Sequence, residues 1–216
     1  MSRSGRRDAA GRVVGIDLGA SAIHAVALDV TRQATVTAAE VFAADEVGAA
    51  VRFCAAAAFV AIDAPSEPST ACHAEDPDVP ARFRSARCGE IALARDHGYR
   101  VSWPTPVTGA PGWMELGFTL WAALRAGGHA PLEVYPDACF KALAGRRLAT
   151  KRTALGLGQR REVLATHVEL PLGMPMWGHD GHDALAAAVT AAQRAAGRAL
   201  QATCGHDGSA IWLPVA

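Results

Sequence analysis

The chain has 216 residues, half of them apolar and 19% charged, and its 21 basic and 21 acidic side chains cancel to a formal charge of zero. That length suits one well-buried domain. The neutral balance excludes the overall basic excess of a nucleic-acid coat protein, so a polyanionic partner must use a local patch. Five cysteines (Cys54, Cys72, Cys88, Cys139, Cys204) stand far apart without a CxxC pair. This spacing argues against both a zinc ribbon and a disulfide framework, and makes a reducing cytoplasm the expected compartment. The opening MSRSGRRDAAGR is basic and polar, so residues 1–11 are expected to form a frayed tail before a single domain over 12–216. No stretch approaches the roughly 18 uninterrupted apolar residues of a spanning helix, so no membrane partner is expected.

In chain order, Arg12 to Leu18, Ala22 to Val30 and Gln33 to Phe42 are rich in Val, Ile and Ala, with very short connections. They predict three antiparallel strands joined by hairpins. Asp45 to Ala57 reads as a helix with Val47, Val51 and Cys54 at helical spacing, and Phe59 to Ile62 as a fourth strand running into Asp63. Between Pro65 and Pro80 the composition turns to Ser, Pro, Glu, Asp and His, an exposed loop. Ala81 to His97 looks helical, Gly98 to Pro111 irregular, and Gly112 to Ala126 an amphipathic helix with Trp113, Leu116, Leu120 and Leu124 on one stripe. Pro131 to Tyr135 predicts a fifth strand carrying Glu133. Helices from Asp137 and from Thr153 follow, then a loop from Leu170 to Gly178, an alanine-rich helix from His179 to Ala196, and an edge strand at Ile211 to Leu213.

That order predicts an α/β domain with a mixed five-stranded sheet and helices on both faces. If the fourth strand lies parallel beside the first, Asp17 and Asp63 emerge as neighbours, which is costly unless a cation or proton compensates. Glu133 sits inside an apolar strand, where a charge is unusual. Asp180 and Asp183 share one face near the start of the last long helix. Each has an ordinary structural alternative: turn or loop caps for Asp17 and Asp63, an arginine partner for Glu133, an N-cap for Asp180, a helix-dipole partner for Asp183. Together they compose an oxygen-ligand site for divalent cations. Two such cations about 4 Å apart could clamp a phosphodiester, one activating water and the other stabilising the leaving oxygen.

These residues also carry a family resemblance. GIDLGAS followed by a hairpin, FVAIDAPSE, ARFRSARCGE, LEVYPDACFKAL, the K-R-T-x-x-G-x-x-x-R run from Lys151 to Arg160, and HDALAAAVTA together resemble the domain-of-unknown-function 429 family, predicted nucleases of the ribonuclease H-like superfamily. The resemblance runs from about Val13 to the C-terminus. It implies a ribonuclease H-like sheet, and it puts Asp17, Asp63, Glu133 and Asp183 on the superfamily's acidic metal-ligand positions, with Asp180 beside them and Mg2+ or Mn2+ as the cofactor. The chain departs from the commonest first motif, placing Leu18-Gly-Ala-Ser21 after the Asp where family members often have Gly and Trp.

From Cys139 to Arg161 the chain carries Lys141, Arg146, Arg147, Lys151, Arg152, Arg160 and Arg161 without an acid. This is either a solvated face or a strip holding nucleic-acid phosphates beside the acidic site. Arg82, Arg84 and Arg87, on one expected helix, add to the strip, select substrate, or pair with Glu90 and Asp96. His73 with Glu75, Asp76 and Asp78 invites a metal reading, although exposed polar loops assemble such clusters by chance. His179 and His182 flank the final acidic pair as surface residues or as a proton shuttle. Trp103 and Trp177 fall in loops where stacking on a base is open. The leading expectation is a metal-dependent nuclease. Two alternatives stand beside it. GIDLGAS also resembles the first phosphate loop of the actin, sugar-kinase and heat-shock ATPase superfamily, whose enzymes need a second such domain. The other is a scaffold that kept the fold, against which the cost of unused buried acids argues.

Overall fold

The computed structural model describes residues 11–170 and 177–216; residues 1–10 of the expected tail, and most of the expected Leu170 to Gly178 loop, lie outside the described residues. The strands are β1 (Arg12–Leu18), β2 (Ala22–Asp29), β3 (Thr35–Ala43), β4 (Phe59–Asp63), β5 (Leu132–Val134), β6 (Leu200–Ala202) and β7 (Ile211–Leu213). The helices are α1 (Val47–Cys54), α2 (Cys88–His97), α3 (Gly112–Ala126), α4 (Pro136–Ala144), α5 (Ala154–Ala165) and α6 (His179–Ala195). The strand order is β3-β2-β1-β4-β5-β7-β6. The first three strands are antiparallel, β4, β5 and β7 run parallel to β1, and β6 turns back against β7. This is the ribonuclease H-like mixed sheet that the resemblance implies.

The sheet has seven strands where five were expected. Leu200–Ala202 is too short and too exposed to show an apolar alternation, and it covers β7, so Ile211–Leu213 is an inner strand and not the edge. The helix expected over Ala81 to His97 is also broken. A single 3-10 turn at Ala81–Phe83 ends before α2 begins at Cys88, so Arg82, Arg84 and Arg87 do not share a helix.

The period-two alternation of β1 divides the core. Val14, Ile16 and Leu18 join Val60 and Ile62 of β4 against α1 and α3. Val13 and Ala61 face the other way, into the cluster containing α4 and α6. Gly15 shows how closely α6 lies on that second face, because a Cβ there would sit 2.1 Å from the Ala184 carbonyl oxygen and the Ala188 nitrogen. The fully buried Ala184, Ala186, Ala187, Ala188 and Ala191 make the close approach possible. Asp17 shares the parity of Val13 and Gly15, and Asp63 that of Ala61, so both carboxylates leave the sheet on the α6 side.

Candidate active site

Asp17 and Asp63 are register partners at the last pair of the parallel β1/β4 ladder. Both strands enter the sheet as apolar runs and reach their ends at these acids, so strand burial itself carries the carboxylates to the rim. Burial raises both from the usual carboxylate range, with the charges of Asp63 and Asp183 adding to the rise at Asp17 and that of Asp183 to the rise at Asp63; Asp63 is pushed up to about 7. Two adjacent buried carboxyls with raised pKa favour holding a proton between them over carrying two negative charges.

Helix α6 brings the rest of the negative charge. Asp183 is buried in its first turns and accepts a hydrogen bond from Lys151 Nζ at 2.5 Å. Burial raises its pKa while Lys151 opposes the rise. The ammonium is in turn held charged, because Asp183, Asp17 and Asp63 outweigh its own burial. Asp180, three residues earlier, contributes to the field on Asp17. It contacts His179 Nδ1 at 2.5 Å and His24 Nε2 at 3.8 Å. His24 was not singled out in the sequence. Its signal was the tight hairpin after β1, which sets His24 opposite Asp17 in the β1/β2 register.

Glu133 lines the same cleft, reaching it from the other face of the sheet. It pairs in register with Ile62, one residue short of Asp63, and therefore leaves the opposite face of the sheet from Asp17, Asp63 and Asp183. Both its oxygens are taken by the Arg87 guanidinium, one from Nη1 at 2.8 Å, and the Ser66 amide adds a third donor at 3.2 Å. Burial still lifts its pKa against the pull of Arg87. Arg87 is 2% exposed and also contacts Glu90, which accepts from the Thr105 amide and hydroxyl. This side chain locks α2 to β5, and with Glu90 and Glu133 it lines the same cleft as Asp17 and Asp63.

The other basic residues divide the same way. Arg147, Lys151 and Arg152 line, with Asp17, Asp63, Asp180 and Asp183, a cleft of about 630 Å³ that Trp103, 71% exposed, also borders. Arg160 borders it too, yet is buried, donating to the carbonyls of Ala149 and Gly156 with its guanidinium over the Phe140 ring. It braces the loop that presents Lys151. Arg146 is exposed outside the cleft, and Arg84 donates to the Val79 carbonyl. His182 is buried and driven down to about 4 by burial and by Arg160. It stays neutral through the physiological range, so the surface role expected for this histidine is corrected to a core imidazole, and the shuttle alternative gains no support.

The donors fit divalent cations in their chemistry: hard carboxylate oxygens, desolvated and repelling, with no salt bridge to Asp17 or Asp63 among the described residues. Asp17, Asp63 and Asp183 are the residues that would hold them, with Asp180 at the margin and Glu133 already neutralised. Among the described residues, no three of these carboxylates bring ligand atoms within 4.8 Å of one another; the groups that do lie elsewhere and contain histidine and cysteine. Like charges spread, and Lys151 draws Asp183 to itself.

Fold and cleft together define an α/β domain of ribonuclease H-like architecture with an acidic rim. The family described as Protein of unknown function (DUF429) matches residues 15–207, and the chain belongs to it. Among solved structures it is similar to the Thermus thermophilus RuvC structure, at 17% identity and a TM-score of 0.47 over 86% of this chain and 96% of that one. It is also similar to T. thermophilus RuvC in complex with Holliday junction substrate, at 18% identity and a TM-score of 0.44 with the same coverage. No curated protein matches its sequence.

Proposed function

We propose that the domain is a Mg2+- or Mn2+-dependent nuclease that hydrolyses phosphodiester bonds of nucleic acid. The observation that carries this reading is the Asp17–Asp63 register pair, two desolvated acids without a salt bridge among the described residues, which share with Asp183 a cleft that Arg147, Lys151 and Arg152 also line. Divalent cations bound there would supply an activated water and neutralise the leaving oxygen. Asp17 and Asp63, rigid on adjacent strands, hold the cation side; Asp183 joins them as Lys151 exchanges its partner for a substrate phosphate. Arg147 and Arg152 hold the backbone through charge, and Trp103 offers a stacking face for an unpaired base. Glu133, Glu90 and Arg87 act at one remove, fixing α2 and the Thr105 loop against β5.

The test is a panel of single-stranded, double-stranded, hybrid and branched nucleic acids incubated with Mn2+ and the wild-type chain. Cleavage that needs the metal and disappears in Asp17→Asn is the expected result. Absence of cleavage on every substrate overturns the proposal, and ATP hydrolysis in its place assigns the cleft to a phosphate-loop ATPase.

A further inference from the structure

A second group of ligand atoms gathers far from the acids in sequence. Cys88 begins α2, Cys204 and His206 lie in the connection between β6 and β7, and His73 comes from the long loop after β4. One ligand atom from each of these four lies within 4.8 Å of every other. His73 is buried, and its Nε2 faces both sulfurs, 3.4 Å from Cys88 Sγ and 3.2 Å from Cys204 Sγ. The His206 ring stacks on that of His73 with centroids 5.3 Å apart. Cys88 and Cys204 are joined as a disulfide in the structure, a pairing that the wide cysteine spacing did not predict.

We propose that in the reduced protein Cys88, Cys204, His73 and His206 form a closed structural zinc site. Two thiolates and two imidazoles are the donor set of tetrahedral structural zinc, with four protein ligands and no open position. Three further contacts belong to such a site and have no purpose in a plain disulfide. The Nδ1 of His73 lies 3.3 Å from the Asp76 carboxylate, the outer partner that fixes a ligating imidazole with its other nitrogen turned to the metal. The His206 amide donates to Cys88 Sγ at 3.3 Å, supporting negative charge on that sulfur. Cys88 also sits in the first turn of α2, where the helix dipole favours a thiolate.

The structure also supplies a reason for a staple. From Ala64 to Arg87 the chain contains one 3-10 turn and no longer element, and its local core is confined to Val79, Ala86 and Ile91 with Phe83. So small a core does not order a long loop without a cross-link or a metal. Zinc would tie that loop to α2 and to the β6–β7 connection. Disulfide and zinc site are alternative states of one sulfur pair. A dithiol reductant delivers two electrons and two protons to the Cys88–Cys204 bond and leaves as its own disulfide; zinc entry then displaces the two thiol protons into solution.

This zinc site is independent of the nuclease reading, and one set of variants separates the two. The full chain, purified under reductant, is assayed for metal by mass spectrometry and, after exchange with Co2+, by absorption spectroscopy. About one zinc per chain, and thiolate-to-cobalt charge-transfer bands with tetrahedral d–d bands, are expected. Cys88→Ser, Cys204→Ser and His73→Ala lose the zinc and His206→Ala weakens it at least about tenfold, whereas Cys72→Ser and Asp17→Asn keep it. The wild-type cobalt spectrum decides the matter even if a variant fails to fold. No zinc under reductant, with Cys88 and Cys204 resisting alkylation and the mass lower by two hydrogens, makes the pair a plain disulfide. Zinc lost in Asp17→Asn but kept in Cys88→Ser places the metal at the acidic rim, and either result overturns the proposal.

Discussion

The acidic rim and the sulfur–imidazole cluster are both candidate metal sites, yet they are built in opposite ways. The rim stands on the ends of two parallel strands and the start of a helix, elements whose positions are fixed by the core beneath them. Its ligands are hard oxygens, left repelling one another until something positive arrives. The cluster is assembled from loops and one helix start, and its ligands are soft donors already in contact. A rigid scaffold tolerates uncompensated charge because it cannot relax away from it, which suits the cation site proposed there. A loop cannot bear such strain and gains its order from the ligands themselves. The contrast separates a working site from a structural one.

The largest effect that would break this contrast is on activity. Asp17→Asn is expected to lower Mn2+-dependent cleavage by more than about 100-fold, since loss of even an outer partner of a metal costs that order. The apo protein should melt at the same temperature as wild type or higher, because a repelling charge has gone. A large apo destabilisation with metal dependence intact would make Asp17 a structural hydrogen-bonding residue.

Arg87→Met comes next, and it sharpens the distinction between acids that are compensated and acids that are not. Glu133 and Glu90 would be left buried without their cation, a loss of about 3–5 kcal/mol in denaturant unfolding. Adding Glu133→Leu should recover part of it. If Arg87→Met proved neutral in stability but abolished substrate binding, the guanidinium would be a substrate contact after all.

Charge reversal of the exposed basic residues tests the wall opposite the acids. Arg147→Glu and Arg152→Glu should weaken binding of duplex DNA and reduce the slope of log K against log salt by about 0.9 for each phosphate that is no longer neutralised, without changing Mn2+ affinity. Arg146→Glu, outside the cleft, should change the slope less. Equal effects at all three positions would mean a diffuse field in place of a binding wall.

The smallest effect is on the pH dependence of stability. Asp63 has its folded-state pKa raised from 3.8 to about 7, and Asp17 is raised as well. The folded state therefore holds protons that the unfolded state has released, and stability falls as pH rises through that window. The burial penalty is absent below the unfolded value and complete above the folded one. In EDTA the Tm should drop across it. Mn2+ should remove the drop, and Asp17→Asn should flatten it. A Tm in EDTA that climbs over the same range contradicts the shared proton.

Much of the rim was legible in the sequence, because a strand that ends in an acid announces both its own burial and where the acid emerges. Asp17 and Asp63 emerge as neighbours as that reading expects, while Asp183, on a helix start, was placed with them by the resemblance. Glu133 was harder for a definite reason: all three residues of β5 are buried, so the strand has no alternation from which to read a face, and only its register with Ile62 shows which way the side chain leaves. Arg87 was open to a Glu90 partner and Glu133 to an arginine, and both contacts are present, but that the two meet each other could not be read from residues 46 apart. The sulfur pair was invisible for the same cause, Cys88 and Cys204 being separated by 116 residues with no local motif around either. Patterns along the chain report elements; they do not report which loops meet.

A working rim requires a cation held at the end of β1. A crystal soaked in Mn2+ and measured for anomalous scattering tests this most directly. The expected result is a peak between Asp17 and Asp63, with the Asp183 carboxylate turned from Lys151 towards it, and no such peak in Asp17→Asn. Anomalous density confined to other parts of the molecule, with Asp17 and Asp63 unoccupied at saturating Mn2+, would contradict it.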